Sequence, residues 1–393
     1  MFETLEMAPP DAILGLAEAF RNDENPDKIN LSVGVYKNSE GVTPILECVK
    51  AAEQKLLAEE TQKSYLAIDG SPLYTQQVKQ LLFGESIDLD RVATVQAPGG
   101  TGALRVASEF LHKRAGLQRI WCSTPTWANH VNIFQAAGLE VDWYPYLDDD
   151  RRGLDFAAME AKLTEIPAGD IICLHACCHN PSGVDPTLEQ WQRIAEIAQQ
   201  QQLVILLDFA YQGFGGGLQE DAACLAPLAN SGCDLLICNS FSKNFGLYSE
   251  RVGALTMVAS SADAAAAALS HAKSTVRANY SNPPKHGAAV VTTILEDAQL
   301  RTQWEQELSD MRQRISDMRQ RFVQVMQEKN DAHDFSAITR QRGMFSFSGL
   351  SKLQVDRLRS DYSIYIVGSG RINVAGITEN NIERLCDAIL EVL

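Results

Sequence analysis

The chain has 393 residues, enough to bury a large core and to form two domains, and its 45% hydrophobic and 21% charged residues exclude a disordered or fibrous polypeptide. A formal net charge of −16 repels nucleic acid and anionic lipid, so neither is expected as a partner. No apolar run reaches the roughly 18 residues of a membrane span, and the short run 264–268 of five alanines reads as a helix segment.

The nine cysteines are odd in number and scattered through apolar segments, which suits free thiols in a reducing cytoplasm rather than a disulfide framework. Residues 1–10 carry two glutamates and no basic residue, unlike a signal or transit peptide. The cluster Cys173, His175, Cys177, Cys178 and His179 invites a metal reading. On one straight strand, however, same-face residues stand about 6.5–7 Å apart, too far for one tetrahedral ion, so no metal is expected.

In chain order, residues 11–21 read as a helix capped by Asp11, with Ile13, Leu14, Ala17 and Phe20 on one side. Asn30 to Tyr36 reads as a short strand in which Gly34 lets backbone approach a neighbour closely. Leu46 to Glu60 is a second helical pattern, and 61–71 is a polar loop with Tyr65 and Gly70.

From about residue 90, strands and helices alternate. Arg91–Gln96 is a strand that runs into Pro98-Gly99-Gly100-Thr101-Gly102 and then a helix to about Arg114. A glycine-rich turn before a helix offers free N–H groups to an anion, although it equally suits a plain turn, and the dinucleotide spacing Gly-x-Gly-x-x-Gly fails at Arg105. Arg119–Ser123 is the next strand, followed by a loop with Trp127, either core or a platform for a flat ring. Asp170–Ala176 leads into His179-Asn180-Pro181-Ser182-Gly183, and a helix spans 187–201. Leu203–Leu207 is continuously apolar, as expected of a parallel strand covered on both faces, and ends in Asp208 with Tyr211 close behind. A carboxylate there is costly unless paired.

Asp234–Cys238 is another buried strand, ending in a polar turn with Ser240, Ser242 and Lys243; Arg251 and a strand at 252–259 follow. A lysine beyond a buried strand is placed to lose solvent, which lowers its pKa and lets it attack a carbonyl. Ser240 and Arg251 beside it suit a phosphate. Amine and phosphate cradle together point to pyridoxal phosphate. Taken alone, Ser-x-Ser-Lys is ordinarily just a loop; its overlap with the Ser-x-x-Lys nucleophile motif of penicillin-binding proteins lacks the companion Lys-Thr-Gly. Gly100, Trp127, Asn180, Asp208 and Lys243 all follow strands, the place where ligands bind in a doubly wound sheet.

Residues 297–330 form one long amphipathic helix, with Leu300, Trp304, Leu308, Met311, Ile315, Met318, Phe322 and Met326 at intervals of three and four. At 1.5 Å per residue it is about 45–50 Å long and able to bridge two domains. Short strands near 344–347 and 371–374 and helices at 352–360 and 378–393 complete the chain.

The runs Ser-Tyr-Leu-Ala-Ile-Asp-Gly (64–70), Gly-Gly-Thr-Gly-Ala-Leu-Arg (99–105), Cys-Cys-His-Asn-Pro-Ser-Gly (177–183), Asp-Phe-Ala-Tyr-Gln-Gly-Phe (208–214), Ser-Phe-Ser-Lys-Asn-Phe-Gly-Leu-Tyr-Ser-Glu-Arg-Val-Gly (240–253), Val-Arg-Ala-Asn-Tyr-Ser-Asn-Pro-Pro (276–284) and Gly-Arg-Ile-Asn-Val-Ala-Gly (370–376) occur in order along nearly the whole chain. Together they resemble the class I aspartate/aromatic aminotransferase family of fold-type I pyridoxal phosphate enzymes. The resemblance implies an α/β fold: a mostly parallel doubly wound sheet in a large domain at 46–310, and a smaller α/β domain at 311–393. Residues 1–45 form an N-terminal arm and part of the small domain, and the long helix joins the two.

It also implies roles. Lys243 would hold the cofactor as a Schiff base and shuttle the proton. Asp208 would pair with the ring nitrogen, and Tyr211 and Asn180 with the ring oxygen. Gly100, Thr101, Ser240 and Arg251 would bind the phosphate, with Tyr65 of the partner subunit, and Trp127 would stack on the ring. Arg371 would clamp the substrate α-carboxylate with Gly34 and Asn180 nearby, and Arg277 of the partner subunit would take a second carboxylate. A homodimer with shared sites follows, as does ping-pong transamination from L-aspartate to 2-oxoglutarate.

The family also contains members that take aromatic amino acids, and both arginines are common to the two kinds. Val35, Lys37, Thr43, Thr101 and Asn282 match the aspartate kind, whereas Ser64 stands where asparagine is expected. Transamination of phenylalanine, tyrosine and tryptophan is thus the alternative. A non-catalytic cofactor-binding module is the alternative of another class; such regulators carry an added DNA-binding domain, for which the resemblance leaves no room. A decarboxylase or lyase would not need Arg277.

Overall fold

The computed structural model describes residues 2–7, 14–150, 152–330 and 332–393. The expected cap Asp11 and the helical Ile13 lie outside them. The first strand is shorter than the sequence suggests: β1 is only Ile29–Asn30, and beyond Leu31 the chain leaves the sheet, side chains taking up the carbonyls of Ser32, Val33, Val35 and Tyr36.

Seven strands make the central sheet: β2 (Val92–Pro98), β3 (Arg119–Thr124), β4 (Glu140–Pro145), β5 (Ile171–His175), β6 (Val204–Phe209), β7 (Leu235–Ser240) and β8 (Val252–Val258). Their order is β2-β8-β7-β6-β5-β3-β4. From β7 to β4 every neighbouring pair is parallel, while β8 runs antiparallel to both β7 and β2.

The apolar runs read from sequence form these strands because both faces of the sheet are covered. On β5, β6 and β7 the side chains alternate between two cores: Ile171, Cys173, Leu206, Leu236 and Cys238 enter one, and Ile172, Leu174, Ile205, Leu207, Leu235 and Ile237 the other. That two-residue period is the pleat itself. The first core is closed by the helices Gly99–Lys113 and Ala262–Asn279, through Leu104, Ala107, Ala272 and Val276. The second is closed in part by the helices Leu188–Gln200 and His286–Glu296.

The long helix is Ala298–Lys329, started by Asp297, whose carboxylate accepts from the N–H groups of Gln299 and Leu300. All eight apolar residues of its predicted stripe are buried. Near its N-terminal end Trp304 stacks on Phe245, with centroids 4.3 Å apart, and donates to the Asn244 carbonyl at 2.7 Å. Further along, buried Arg319 donates to the carbonyls of Ile338, Gly343 and Phe345, tying the helix to the C-terminal segment.

Two small sheets complete the fold. In one, β1 pairs in parallel with β10 (Ile364–Tyr365), so the start of the chain joins its end. In the other, β9 (Phe345–Phe347) and β11 (Arg371–Asn373) are antiparallel. No helix among the described residues is long and apolar enough to cross a membrane.

Candidate active site

A cavity of about 530 Å³ opens at the C-terminal ends of the parallel strands. Gly100 and Thr101 line it from the helix that begins at Gly99, Asn180 from the loop after β5, Asp208 from β6, and Ser240, Lys243 and Arg251 from β7 and the segment after it. Trp127 lies on the loop after β3, and Gly34 and Arg371 close the cavity from the terminal segments. One correction concerns the glycine run: it is not a turn ahead of the helix but its first turn. A second concerns Asp208, which lies within β6 rather than after it.

Lys243 carries its amine 4.8 Å from the centroid of the Tyr211 ring. Burial lowers its pKa below the ordinary lysine value; the Asp208 charge opposes this and the Arg251 charge adds to it. The Tyr211 hydroxyl is pushed up, mainly by burial.

Asp208 accepts from His130 Nε2 at 3.1 Å through Oδ2, while its Oδ1 is buried without a partner. Burial alone would raise this carboxyl; the His130 hydrogen bond, with the electrostatic pull of His130 and Lys243, outweighs it and holds the pKa below the usual aspartate value. Behind Asp208, His175 is kept neutral at neutral pH, its pKa pushed down to about 3 chiefly by burial.

At the opposite side, Arg251 donates to Ser242 Oγ at 3.2 Å and to the Tyr248 carbonyl at 2.9 Å. Gly99, at φ +73°, has to lack a side chain, because a Cβ there would stand 2.4 Å from Arg251 Nη2. The first turn of a 15-residue helix, two serine hydroxyls and a guanidinium thus converge on one corner, a donor set suited to a phosphate.

Arg371 lies on β11, nearly buried. Its Nη1 donates to Asn180 Oδ1 at 3.2 Å and its Nη2 to the Ser32 carbonyl at 2.6 Å, and its guanidinium covers the Phe345 ring at 4.1 Å. Burial lowers its pKa to about 10, which leaves it cationic at neutral pH. A buried cation beside an amide oxygen is suited to a carboxylate.

The sequence profile described as "Aminotransferase class I and II" matches residues 26–389. The chain is 54% identical to an aspartate aminotransferase of Salmonella typhi, covering 100% of both chains. It is 45% identical to an aromatic-amino-acid aminotransferase of Pseudomonas aeruginosa, covering 100% of this chain and 98% of that one. A crystal structure of an aromatic-amino-acid aminotransferase from Burkholderia pseudomallei, covalently bound to pyridoxal phosphate, superposes with a TM-score of 0.97 at 45% identity, covering 100% of this chain and 99% of that one. The chain belongs to the class I and II aminotransferase family.

Within this aminotransferase, eleven of the thirteen residues singled out from sequence line one cavity. The other two, Tyr65 and Arg277, do not; both are exposed, Tyr65 at 93%. Of the five residues read as matching the aspartate kind, Thr101 alone lines the cavity. Thr43 instead donates to the Tyr36 carbonyl, Asn282 to the Leu66 carbonyl, and Ser64 to Gln62 Oε1.

Sequence reasoning assigned no role to His130, Ser242, Tyr248 or Phe345. Ser242 had a signal, its position beside Lys243; the others meet the site only through the fold. The metal argument considered one strand, and the fold brings in residues from elsewhere: His130, His175 and Asp208 cluster, as do Cys177, Cys178 and Asp221. The carboxylates are engaged, Asp208 by His130 and Asp221 by the N–H groups of Gly213, Gly215 and Gly216.

Proposed function

We propose that this aminotransferase binds pyridoxal 5'-phosphate in the cavity and transfers the amino group of L-aspartate to 2-oxoglutarate, giving oxaloacetate and L-glutamate. The observation that carries the reading is Asp208 Oδ1, a buried carboxylate oxygen with no partner, in the same cavity as the Lys243 amine. A protonated ring nitrogen is the group it lacks. The residues fit the cofactor: Lys243 would hold it covalently, Asp208 its ring nitrogen, and Asn180 and Tyr211 its ring oxygen. Gly100, Thr101, Ser240 and Arg251 would hold its phosphate, and Trp127 would cover its face. When bound, the cofactor supplies an aldehyde that an amine can join and a ring that withdraws electrons from the substrate α-carbon.

The chain's own residues do the rest. Arg371 and Asn180 orient the α-carboxylate. Lys243 Nζ would take up and give back the α-proton, a role for which a lowered pKa suits an amine. Asp208 keeps its negative charge opposite the ring because His130 donates to it. Donor and acceptor acids use the same groups in turn, which makes the kinetics ping-pong.

The preference for aspartate rests on the 54% identity to enzymes named for it, against 45% for enzymes named for aromatic amino acids. The aromatic reading is the second, supported by the 45% identity to the aromatic-amino-acid aminotransferases of Pseudomonas aeruginosa and Burkholderia pseudomallei. A homodimer belongs to the proposal: Tyr65 and Arg277 are exposed and do not line the chain's own cavity, and Phe2, Leu5 and Met7 lie 68–96% exposed. So do a division of the chain near residues 45 and 310, supported by the pairing of β1 with β10, and a cytoplasmic location, supported by nine free cysteines.

The test is a half-reaction. L-aspartate, then separately L-phenylalanine, is mixed with cofactor-loaded enzyme while the visible band is followed. Bleaching by aspartate alone, reversed by 2-oxoglutarate, supports the first reading; comparable bleaching by both moves the assignment to the aromatic kind. A band that neither alters leaves only a binding module.

A further inference from the structure

Residues 32–37 reach the cavity at Gly34 without belonging to a sheet, and side chains take most of their backbone hydrogen bonds, beside a turn in which the Val35 N–H donates to the Val33 carbonyl at 3.0 Å. Arg371 Nη2 donates to the Ser32 carbonyl at 2.6 Å. Asn373 Nδ2 donates both of its hydrogens, one to the Val33 carbonyl at 2.7 Å and one to the Val35 carbonyl at 2.9 Å. The Tyr36 N–H donates to the Tyr248 hydroxyl at 2.9 Å. Between the two carbonyls held by Asn373 lies Gly34, which lines the cavity and whose N–H makes no hydrogen bond with any described residue. A Cβ on Gly34 would stand 2.6 Å from Cζ of Phe345, the ring that Arg371 covers.

We infer that Asn373 is a positioning residue: its amide grips the carbonyls on both sides of Gly34, and so fixes the unpartnered Gly34 N–H at the cavity wall beside Arg371 for the substrate α-carboxylate. The inference rests on the transamination reading and adds to it the device that builds the backbone half of the carboxylate site. Asn373 is suited to this because it is 1% exposed and two further hydrogen bonds fix its position. Its own N–H donates to the Leu31 carbonyl at 2.8 Å, and its Oδ1 accepts from the Ala375 N–H at 3.1 Å. The residue that follows Arg371 by two positions on β11 therefore sets the segment opposite Arg371, and both halves of the site share one strand as their reference.

The test separates the grip from the cap. Serine and aspartate both cap as asparagine does, so Asn373→Ser and Asn373→Asp keep an acceptor for Ala375 while removing the donor pair. Aspartate does so at unchanged size but adds a buried charge facing two carbonyls, so a Kd raised in Asn373→Asp alone, with Asn373→Ser at the wild-type value, overturns the inference; the wild-type exchange measurement below covers the case in which serine fails to fold. In cofactor-loaded full-length enzyme, the Kd of succinate by calorimetry and the KM of L-aspartate are expected to rise about ten-fold, the scale of losing one charge-assisted hydrogen bond from the Gly34 N–H to the carboxylate, with kcat within about three-fold of wild type. The visible spectrum of the bound cofactor stays unchanged. A purely structural role would instead lower the thermal midpoint and the active fraction with Kd untouched, and that result would overturn the inference.

A further measurement needs no substitution. Hydrogen exchange at the 33–36 amides of the wild type should slow when succinate binds, and exchange unaffected by succinate overturns the assignment. A wild type that turns over amino acids alongside variants of unchanged Kd removes only the role of Asn373. A wild type that transaminates nothing removes the reading beneath it.

Discussion

His130 Nε2 stands 3.1 Å from Asp208 Oδ2 and occupies one oxygen of a carboxylate whose other oxygen is buried and unpartnered. The free oxygen is the one available to a ligand, and the occupied one keeps the carboxylate in a fixed orientation. Replacing Asp208 by asparagine keeps the shape but removes the charge that sustains a protonated ring. The expected result is a fall in kcat of at least about 100-fold, the usual scale for losing one preorganised electrostatic group. Capture of pyridoxal phosphate by Lys243, read by borohydride reduction and mass spectrometry, should persist. Equal turnover in Asp208→Asn and wild type would remove Asp208 from the site.

Lys243 makes a pH prediction. Its folded-state pKa is lowered from the ordinary 10.5, mainly by burial. Between the folded and unfolded values the unfolded chain binds more protons, so the stability of cofactor-free protein rises as pH rises through that window. Lys243→Met has no such dependence. The variant should therefore have the higher denaturation midpoint near neutral pH, with the difference shrinking as pH approaches about 10. A constant gap across pH would mean that the lysine amine is not held against its charge. In the same window, wild-type protein should capture pyridoxal phosphate at a pH where ordinary lysines are still protonated.

Much of this was legible before the fold was known, for a local reason. Lys243 and Asp208 each follow or end a continuously apolar run, and runs this short and rich in branched residues suit strands covered on both faces, as the alternation of Ile205, Leu206 and Leu207 between two cores bears out. The stripe of the long helix was readable from its period alone. His130 was not, because it lies 78 residues from Asp208 and nothing local marks its partner. Tyr248 likewise meets Tyr36 across 212 residues. The strand expected over 30–36 fails because alternating apolar residues such as Val33 and Val35 suit a sheet, while Asn373, far along the chain, takes the carbonyls instead.

Shared sites can be tested by complementation. Lys243→Ala removes the amine from one site, and Arg277→Leu removes the second-carboxylate group proposed to reach across to the partner. Alone, Arg277→Leu should lower kcat/KM for aspartate on the order of 100-fold, the scale of an unpaired buried charge, and affect phenylalanine far less. Mixed in equal amounts and allowed to exchange subunits, the two variants should recover about a quarter of wild-type aspartate activity, since half of the two-fold dimers are hybrids with one intact site. Activity that does not exceed the sum of the separate variants would place Arg277 in its own chain's site or outside any site.

Trp304 links the long helix to the lysine segment, and its loss should be felt in both. It is fully buried, stacks on Phe245 and donates to the carbonyl of Asn244, the residue directly after Lys243. Trp304→Ala deletes a large core side chain and leaves that carbonyl without its donor, so the expected cost is about 3–5 kcal/mol in unfolding free energy. Trp304→Phe keeps an aromatic ring for Phe245 but loses the indole N–H and part of the ring volume, so about 1–3 kcal/mol is expected. The two variants separate packing from positioning. If the Asn244 carbonyl is what holds the segment, Trp304→Phe should slow the half-reaction with aspartate as well as lower the denaturant midpoint. If the ring alone matters, Trp304→Phe should react like wild type and only Trp304→Ala should be impaired.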